Sequence, residues 1–449
     1  MQDDVVDANG QPGFTCTLTV TGETETKNIP ASTLMSIEKP GIESVVITGT
    51  YTPQTSGKHY LSFATLGKSK VTINDSLVFD CPALSADPMA MLLGTATEER
   101  KQYDFIAGKS YDIKIEADSI KGGDHDLSIL PNALICLNLG FASQAEFEAD
   151  LLADATAAAE KSDVAIVLVG HTSVWETEGC DRESMNLPMD GSQDELIRAV
   201  AKVNPNVVIV SSTGSPIAMP WLNDVKAVVQ AWFPGQEAGY SIADVLLGKV
   251  NPSGKLPVTF PRRVEDVPTY KNFPCTGKLE DLKVVYEEGV RIGYRYYDGE
   301  EEGKVLFPFG FGGSYTTFDV EAVKISEQNL KANSTFTVSA TVRNTGSLPG
   351  RETLQVYVAL KDQTQSRELG RPVKTLVGFG KTADLSPGQQ EVVTMNVDVK
   401  ETFAHWEEER YRWVVPGGEW EALVATSCAK ADVVGRIGVT IAQKGEFEP

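Results

Sequence analysis

The sequence predicts a multidomain chain: two all-β zones, each a β-sandwich, flank a partial parallel α/β layer. Two patterns carry that expectation. Short β-branched runs between turn residues fill the first and last parts of the chain, as in sandwiches. Between them, apolar strand-like runs alternate with helical segments, as in a parallel sheet with crossover helices.

Residues 1–12 form a polar leader. In 13–141, Thr15–Val20, Ser44–Thr48 and His59–Phe63 read as strands, and Tyr111–Glu116 alternates at period two. Val71–Asp80 reads as a hairpin turning at Asn74-Asp75. Over 142–260 the period changes. Ala145–Lys161 reads as one helix, and Asp163–Gly170 as a strand buried on both faces. Gln193–Val203 and Gln236–Leu247 read as helices, Asn206–Val210 and Lys226–Ala231 as strands. Three strands make a thin sheet, so the layer reads as incomplete. Residues 261–312 are a connector rich in Tyr, Gly and Pro. In 313–449, Phe336–Val342, Leu354–Val358, Glu391–Val397 and Trp420–Val424 are strands. The turns Asn344-Thr-Gly346, Ser386-Pro-Gly388 and Pro416-Gly-Gly418 separate them, an immunoglobulin- or fibronectin-like pattern.

The 449 residues carry 40 Lys and Arg against 62 Asp and Glu, a net charge of −22. That charge disfavours nucleic acid and anionic membrane surfaces as partners. No apolar run approaches the roughly 20 residues that span a bilayer. The cysteines at 16, 81, 136, 180, 275 and 428 form no Cys-x-x-Cys pair, and His numbers only 4, so neither a metal site nor a cofactor is expected. The acidic Met1–Asp7 is no signal peptide, which favours a cytoplasmic location if Met1 is the true start and a secreted one if an upstream segment is missing.

Ligands of open α/β sheets bind beyond the carboxyl ends of the strands. The segment after the first buried strand is Gly170-His-Thr-Ser-Val-Trp-Glu-Thr-Glu-Gly-Cys-Asp-Arg182. In an extended chain, Glu176 and Glu178 point to one side, and Trp175 supplies an apolar wall or a stacking face. An acid that protonates a leaving oxygen needs such a wall or a nearby negative charge. A solvated acidic loop with a local Asp181–Arg182 pair accounts for the same residues. His171 as a base, Cys180 as a nucleophile, and the turns at Ser212–Ser215 and Gly310–Gly313 carry weaker signals. Trp232–Gly239 reads equally as turn chemistry or as a ligand-facing loop.

Together these loops resemble the C-terminal half of glycoside hydrolase family 3, the β-glucosidase family. The resemblance rests on Glu176-x-Glu-Gly-x-Asp-Arg182 with Leu187-Pro188, Asn204–Val210, Gly214–Ile217, Trp232–Gly239 and Asn251–Pro257. Gly293–Asp298, Phe307–Gly310 and Ser314–Phe318 extend it. The last zone resembles the family's fibronectin III-like domain, through Asn344–Gly346, Gln355–Val358 and Arg371–Val373. Residues 13–141 resemble its PA14 insert. Phe311 and Gly313 stand where the family usually shows His and Leu. The resemblance implies a retaining, exo-acting β-glycosidase of β-linked glucosides or oligosaccharides, whose acid and nucleophile sit about 5–5.5 Å apart. It places the acid/base on Glu178, with Glu176 as the alternative. It puts Trp175 on the substrate side and has Asp181 and Arg182 hold the loop. No Ser-Asp-Trp-like nucleophile motif and no (β/α)8 barrel is found, so the isolated chain is expected to be inactive, with a separate barrel chain as a candidate partner. An inactive carbohydrate-binding module, half of a split enzyme and a structural assembly protein are the rival expectations.

Overall fold

Turn chemistry sets the first β zone. In the computed structural model, which describes residues 4–36, 41–85, 90–91, 96–120, 133–178, 181–182, 184–188, 190–274, 282–298 and 302–449, Asn74 and Asp75 both take positive φ. That is the two-residue turn a twisted hairpin needs, and it joins strands Ser69–Ile73 and Ser76–Cys81. These strands edge a seven-stranded antiparallel sheet that runs through Tyr111–Asp118, Ile42–Tyr51 and Phe14–Val20. A four-stranded sheet of Thr33–Ser36, Ile135–Ala142, Gly57–Thr65 and Glu99–Phe105 faces it. Leu61, Phe63 and Leu137 from the smaller sheet share one core with Cys16, Ile47, Val71 and Ile115 from the larger. Period-two alternation in Tyr111–Asp118 puts Ile113 and Ile115 into that core.

The chain divides into two compact units, residues 1–162 with 171–182, and 163–170 with 183–449. In the first unit, the expected helix over Ala145–Lys161 is two helices, Gln144–Phe147 and Leu151–Glu160. Capping explains the break. Ser143 and Glu146 close a capping box on the first, and the Asp150 side chain accepts from the Ala153 amide to start the second.

The second unit contains the parallel sheet, Ala165–Gly170, Val207–Ser212 and Ala227–Gln230 in that order. The first strand is not buried on both faces as expected. Val167 and Val169 are buried, whereas Ile166 is 48% and Leu168 68% exposed. Helix Ser192–Val203 buries Ile197 and Val200. Within the layer, fully buried Trp221 donates from Nε1 to Asp194 Oδ1 at 2.7 Å. The connector forms short 3₁₀ turns, the helical turn Tyr294–Tyr297 and a strand pair of Phe260–Pro261 with Val305–Phe307.

The last zone packs a three-stranded sheet (Phe318–Ile325, Thr335–Asn344, Gln390–Asp398) on a five-stranded one built around Gly418–Ala425 and Thr353–Leu360. A small third sheet holds Arg412–Val415 between His405–Glu407 and Gly445–Phe447. Among the described residues no helix is long and apolar enough to cross a membrane.

Two side chains give direct tests of this fold. Buried Asn344 donates to the carbonyls of Leu348 and Leu385 and accepts from Thr316 Oγ1 and the Gly346 amide. Asn344→Leu strands those groups and is expected to lower unfolding free energy by about 3 kcal/mol in urea titration; a loss below about 1 kcal/mol contradicts this packing. On the small sheet, Glu446 accepts from Arg410 and Arg412 and pairs with Lys444. Those hydrogen bonds hold its carboxyl at about 2. Because the folded value lies below the unfolded one, its stabilising contribution is present above roughly pH 4.5 and lost as pH falls towards 2. In acid titrations Glu446→Gln is expected to flatten that part of the stability profile, and an unchanged profile contradicts the network.

Candidate functional site

The loop 171–182 leaves the first parallel strand at Gly170. This strand end is clamped: the Gln193 side-chain amide accepts from the Gly170 N–H at 2.8 Å and donates to its carbonyl at 2.9 Å. Gly170 cannot carry a side chain, because a Cβ would lie 2.3 Å from the carbonyl oxygen of Ser212 on the neighbouring strand. Gln193 was not legible as a site residue. Its partner lies 23 positions away, and nothing local marks the contact.

Beyond Gly170 the chain turns rather than extends. The amides of Trp175 and Glu176 both donate to the Thr172 carbonyl, at 2.9 and 3.0 Å. The turn carries Glu176 back toward the start of the loop. Glu176 is half-buried and folds back onto the loop's first residue, with His171 Nδ1 2.9 Å from Glu176 Oε2. The imidazole is enclosed, its side chain only 2% exposed. Arg182 Nη1 lies 4.0 Å from Glu176 Oε1 and 3.4 Å from His171 Nδ1. A carboxylate only accepts and a guanidinium only donates. The shorter contact decides the tautomer: Nδ1 carries the proton and donates a hydrogen bond to Glu176 Oε2 at 2.9 Å. The 3.4 Å approach of Arg182 to Nδ1 is therefore not a hydrogen bond, and Arg182 completes the triangle as an ion-pair partner of Glu176. Burial pulls the Arg182 guanidinium down from its ordinary value, and Glu176 partly offsets that. His171, read from sequence as a weak base candidate, is thus a structural donor to this carboxylate.

Glu178 is exposed and has no partner among the described residues. The local Asp181–Arg182 pair does not form. Arg182 turns to Glu176, and Asp181 is exposed without an ion pair among the described residues. Trp175 is half-buried beside Glu176. Gly179 and Cys180 lie outside the described residues. The loop therefore holds one engaged carboxylate and one available carboxyl, two residues apart.

At the ends of the neighbouring strands, Gln230 Nε2 donates to Thr213 Oγ1 at 3.1 Å. The buried Ser211 Oγ and Gln230 Oε1 have no partner among the described residues. Trp232 takes φ +57°, a strained conformation for a bulky residue, and meets Phe260 edge-on at 6.0 Å. Phe233 after it is exposed. Among the described residues no cluster of three or more His, Cys, Asp or Glu is placed to hold a metal ion.

Residues 20–315 match the glycosyl hydrolase family 3 C-terminal domain, and residues 352–428 the fibronectin type III-like domain. The chain is 42% identical over 454 aligned residues to β-glucosidase B of Emericella nidulans, covering 98% of this chain and 52% of that protein. It is 37% identical to probable β-glucosidase I of the same organism, covering 88% and 46%. The crystal structure of β-glucosidase from Kluyveromyces marxianus in complex with glucose superposes with a TM-score of 0.81 at 31% identity, over 99% of this chain and 52% of that one. The chain thus spans about half the length of the relatives it matches. With more than half of its residues inside the family's C-terminal domain, the chain belongs to glycosyl hydrolase family 3.

Proposed function

We propose that this chain supplies the acid/base half of a retaining β-glucosidase, acting on β-linked glucosides or oligosaccharides. One observation carries the reading: the loop beyond the first parallel strand engages Glu176 in a His171–Arg182 triangle and leaves Glu178 open to solvent. A general acid must reach the leaving oxygen and surrender a proton there. Glu178, on the exposed part of the loop, suits that step. Glu176, already accepting from His171, suits the role of loop anchor. Trp175 is the substrate-side wall, Arg182 acts through Glu176, and Asp181 flanks the acid.

In the retaining mechanism a carboxylate attacks the anomeric carbon while the acid protonates the departing oxygen. The same residue then takes a proton from water as the glycosyl-enzyme is hydrolysed. We place the attacking carboxylate outside these 449 residues, on a (β/α)8 barrel in the same assembly. The open apolar face at Ile166 and Leu168 supports a covering element, since parallel sheets are normally covered on both faces. In this reading residues 13–141 form a PA14-like insert, 142–260 an incomplete α/β sandwich, 261–312 a connector and 313–449 the fibronectin III-like domain.

Hydrolysis of p-nitrophenyl β-glucoside tests the assignment. The isolated chain is expected to turn over at least roughly 10³-fold more slowly than the same chain joined to a family barrel. In the joined enzyme, Glu178→Gln is expected to lower kcat by about 10²- to 10⁴-fold. Robust turnover by the isolated chain, abolished by Glu178→Gln, overturns the division of labour. A larger kcat loss in Glu176→Gln than in Glu178→Gln moves the acid to Glu176.

A further inference from the structure

The second unit contains a cavity of about 660 Å³ between the connector and the segment 363–373. Six of its lining residues are cationic: Lys271, Arg291, Arg295, Lys304, Arg367 and Arg371. Four are acidic, and two of these are already engaged. Asp298 is bound by Lys374, and Glu265 lies 4.0 Å from Arg263. Of the described lining residues, Glu287 and Glu288 are the other two acids, and Glu288 accepts from Asn272 Nδ2. Among the described residues, Arg291, Arg295, Arg367 and Arg371 pair with no carboxylate.

Arg371 is the telling member. It is only 7% exposed, and its Nη1 is sealed from solvent without a hydrogen-bond partner. The guanidinium lies over the Trp420 ring, 4.9 Å from its centroid. That contact satisfies the face of the cation, and Nη1 at its edge keeps an unmet donor capacity. Burial, with the like charge of Arg295, pushes the guanidinium down to about 10. A buried cation without a partner is costly, and a planar guanidinium fork is matched by carboxylate or phosphate oxygens.

We propose that this cavity binds a sugar-sized metabolite bearing an oxyanion, phosphate or carboxylate, with Arg371 and Arg295 holding the anion. A lone inorganic anion leaves most of 660 Å³ unfilled, and Tyr270 and Tyr296 on the same walls supply aromatic surface for the uncharged remainder. The site shares no residue with the 171–182 loop and is independent of the glycosidase reading.

Isothermal calorimetry on the 449-residue chain at fixed ionic strength, with glucose 6-phosphate, glucuronate and glucose as probes, tests this site. Saturable binding is expected for at least one of the two anionic sugars and none for glucose at the same concentration. Binding of the phosphate alone or the uronate alone identifies which oxyanion the site takes, and either outcome supports it. Arg371→Gln is expected to weaken binding roughly tenfold or more. Should Arg371→Gln fail to fold, the Arg291→Gln/Arg295→Gln variant, altered where the walls are more exposed, is expected to show the same loss. Glucose binding as tightly as the anions, affinity unchanged in the variants, or no saturable heat with either anion overturns the proposal.

Discussion

The hydrogen bond from buried His171 to Glu176 is the contact on which the functional reading turns. It closes the loop on itself five residues after leaving the strand and draws Arg182 inward. Two acids that look interchangeable in sequence thereby become chemically distinct. One accepts a hydrogen bond and faces a guanidinium; the other stands in solvent with no partner among the described residues. Enzymes that run acid and base chemistry with paired carboxyls depend on such a difference in surroundings. The Gln193 clamp on Gly170 matters for a related reason: it fixes the strand end from which the loop starts.

Much of the fold was legible because local chemistry dictated it. Asn74-Asp75 announced its hairpin through two residues that tolerate positive φ, and the structure turns there. Asn344-Thr-Gly346 announced a turn, and Asn344 ties it to the sandwich core through bonds to Leu348 and Leu385. Where the reading fell short, the missing information was three-dimensional. An apolar run such as Asp163–Gly170 reads alike whether one face of the strand is covered or both, so the exposure of Ile166 and Leu168 was not visible. The break at Asp150 in the Ala-rich helix was a capping preference outvoted by composition. In the loop, adjacency suggested an Asp181–Arg182 pair, but a turn at Thr172 carries Glu176 to Arg182 instead. The family loops, by contrast, were readable as ordered motifs.

The chain's chemistry is distributed unevenly. The candidate acid belongs to the first compact unit, while the second holds the parallel sheet and a cation-lined cavity unrelated to that acid. The chain spans about half the length of its relatives, and part of its parallel sheet is open to solvent. That part is the apolar face at Ile166 and Leu168. Arg371 differs: its Nη1 lacks a hydrogen-bond partner in spite of burial by its own unit, which makes a ligand the simpler complement.

Nitrogen-15 NMR of histidine-labelled chain tests the central claim most directly, since only 4 histidines contribute signals. The expected result is a protonated, hydrogen-bonded Nδ1 at His171 whose proton signal is lost in Glu176→Ala and retained in Glu178→Gln. A signal indifferent to Glu176→Ala, or lost in Glu178→Gln, contradicts the account.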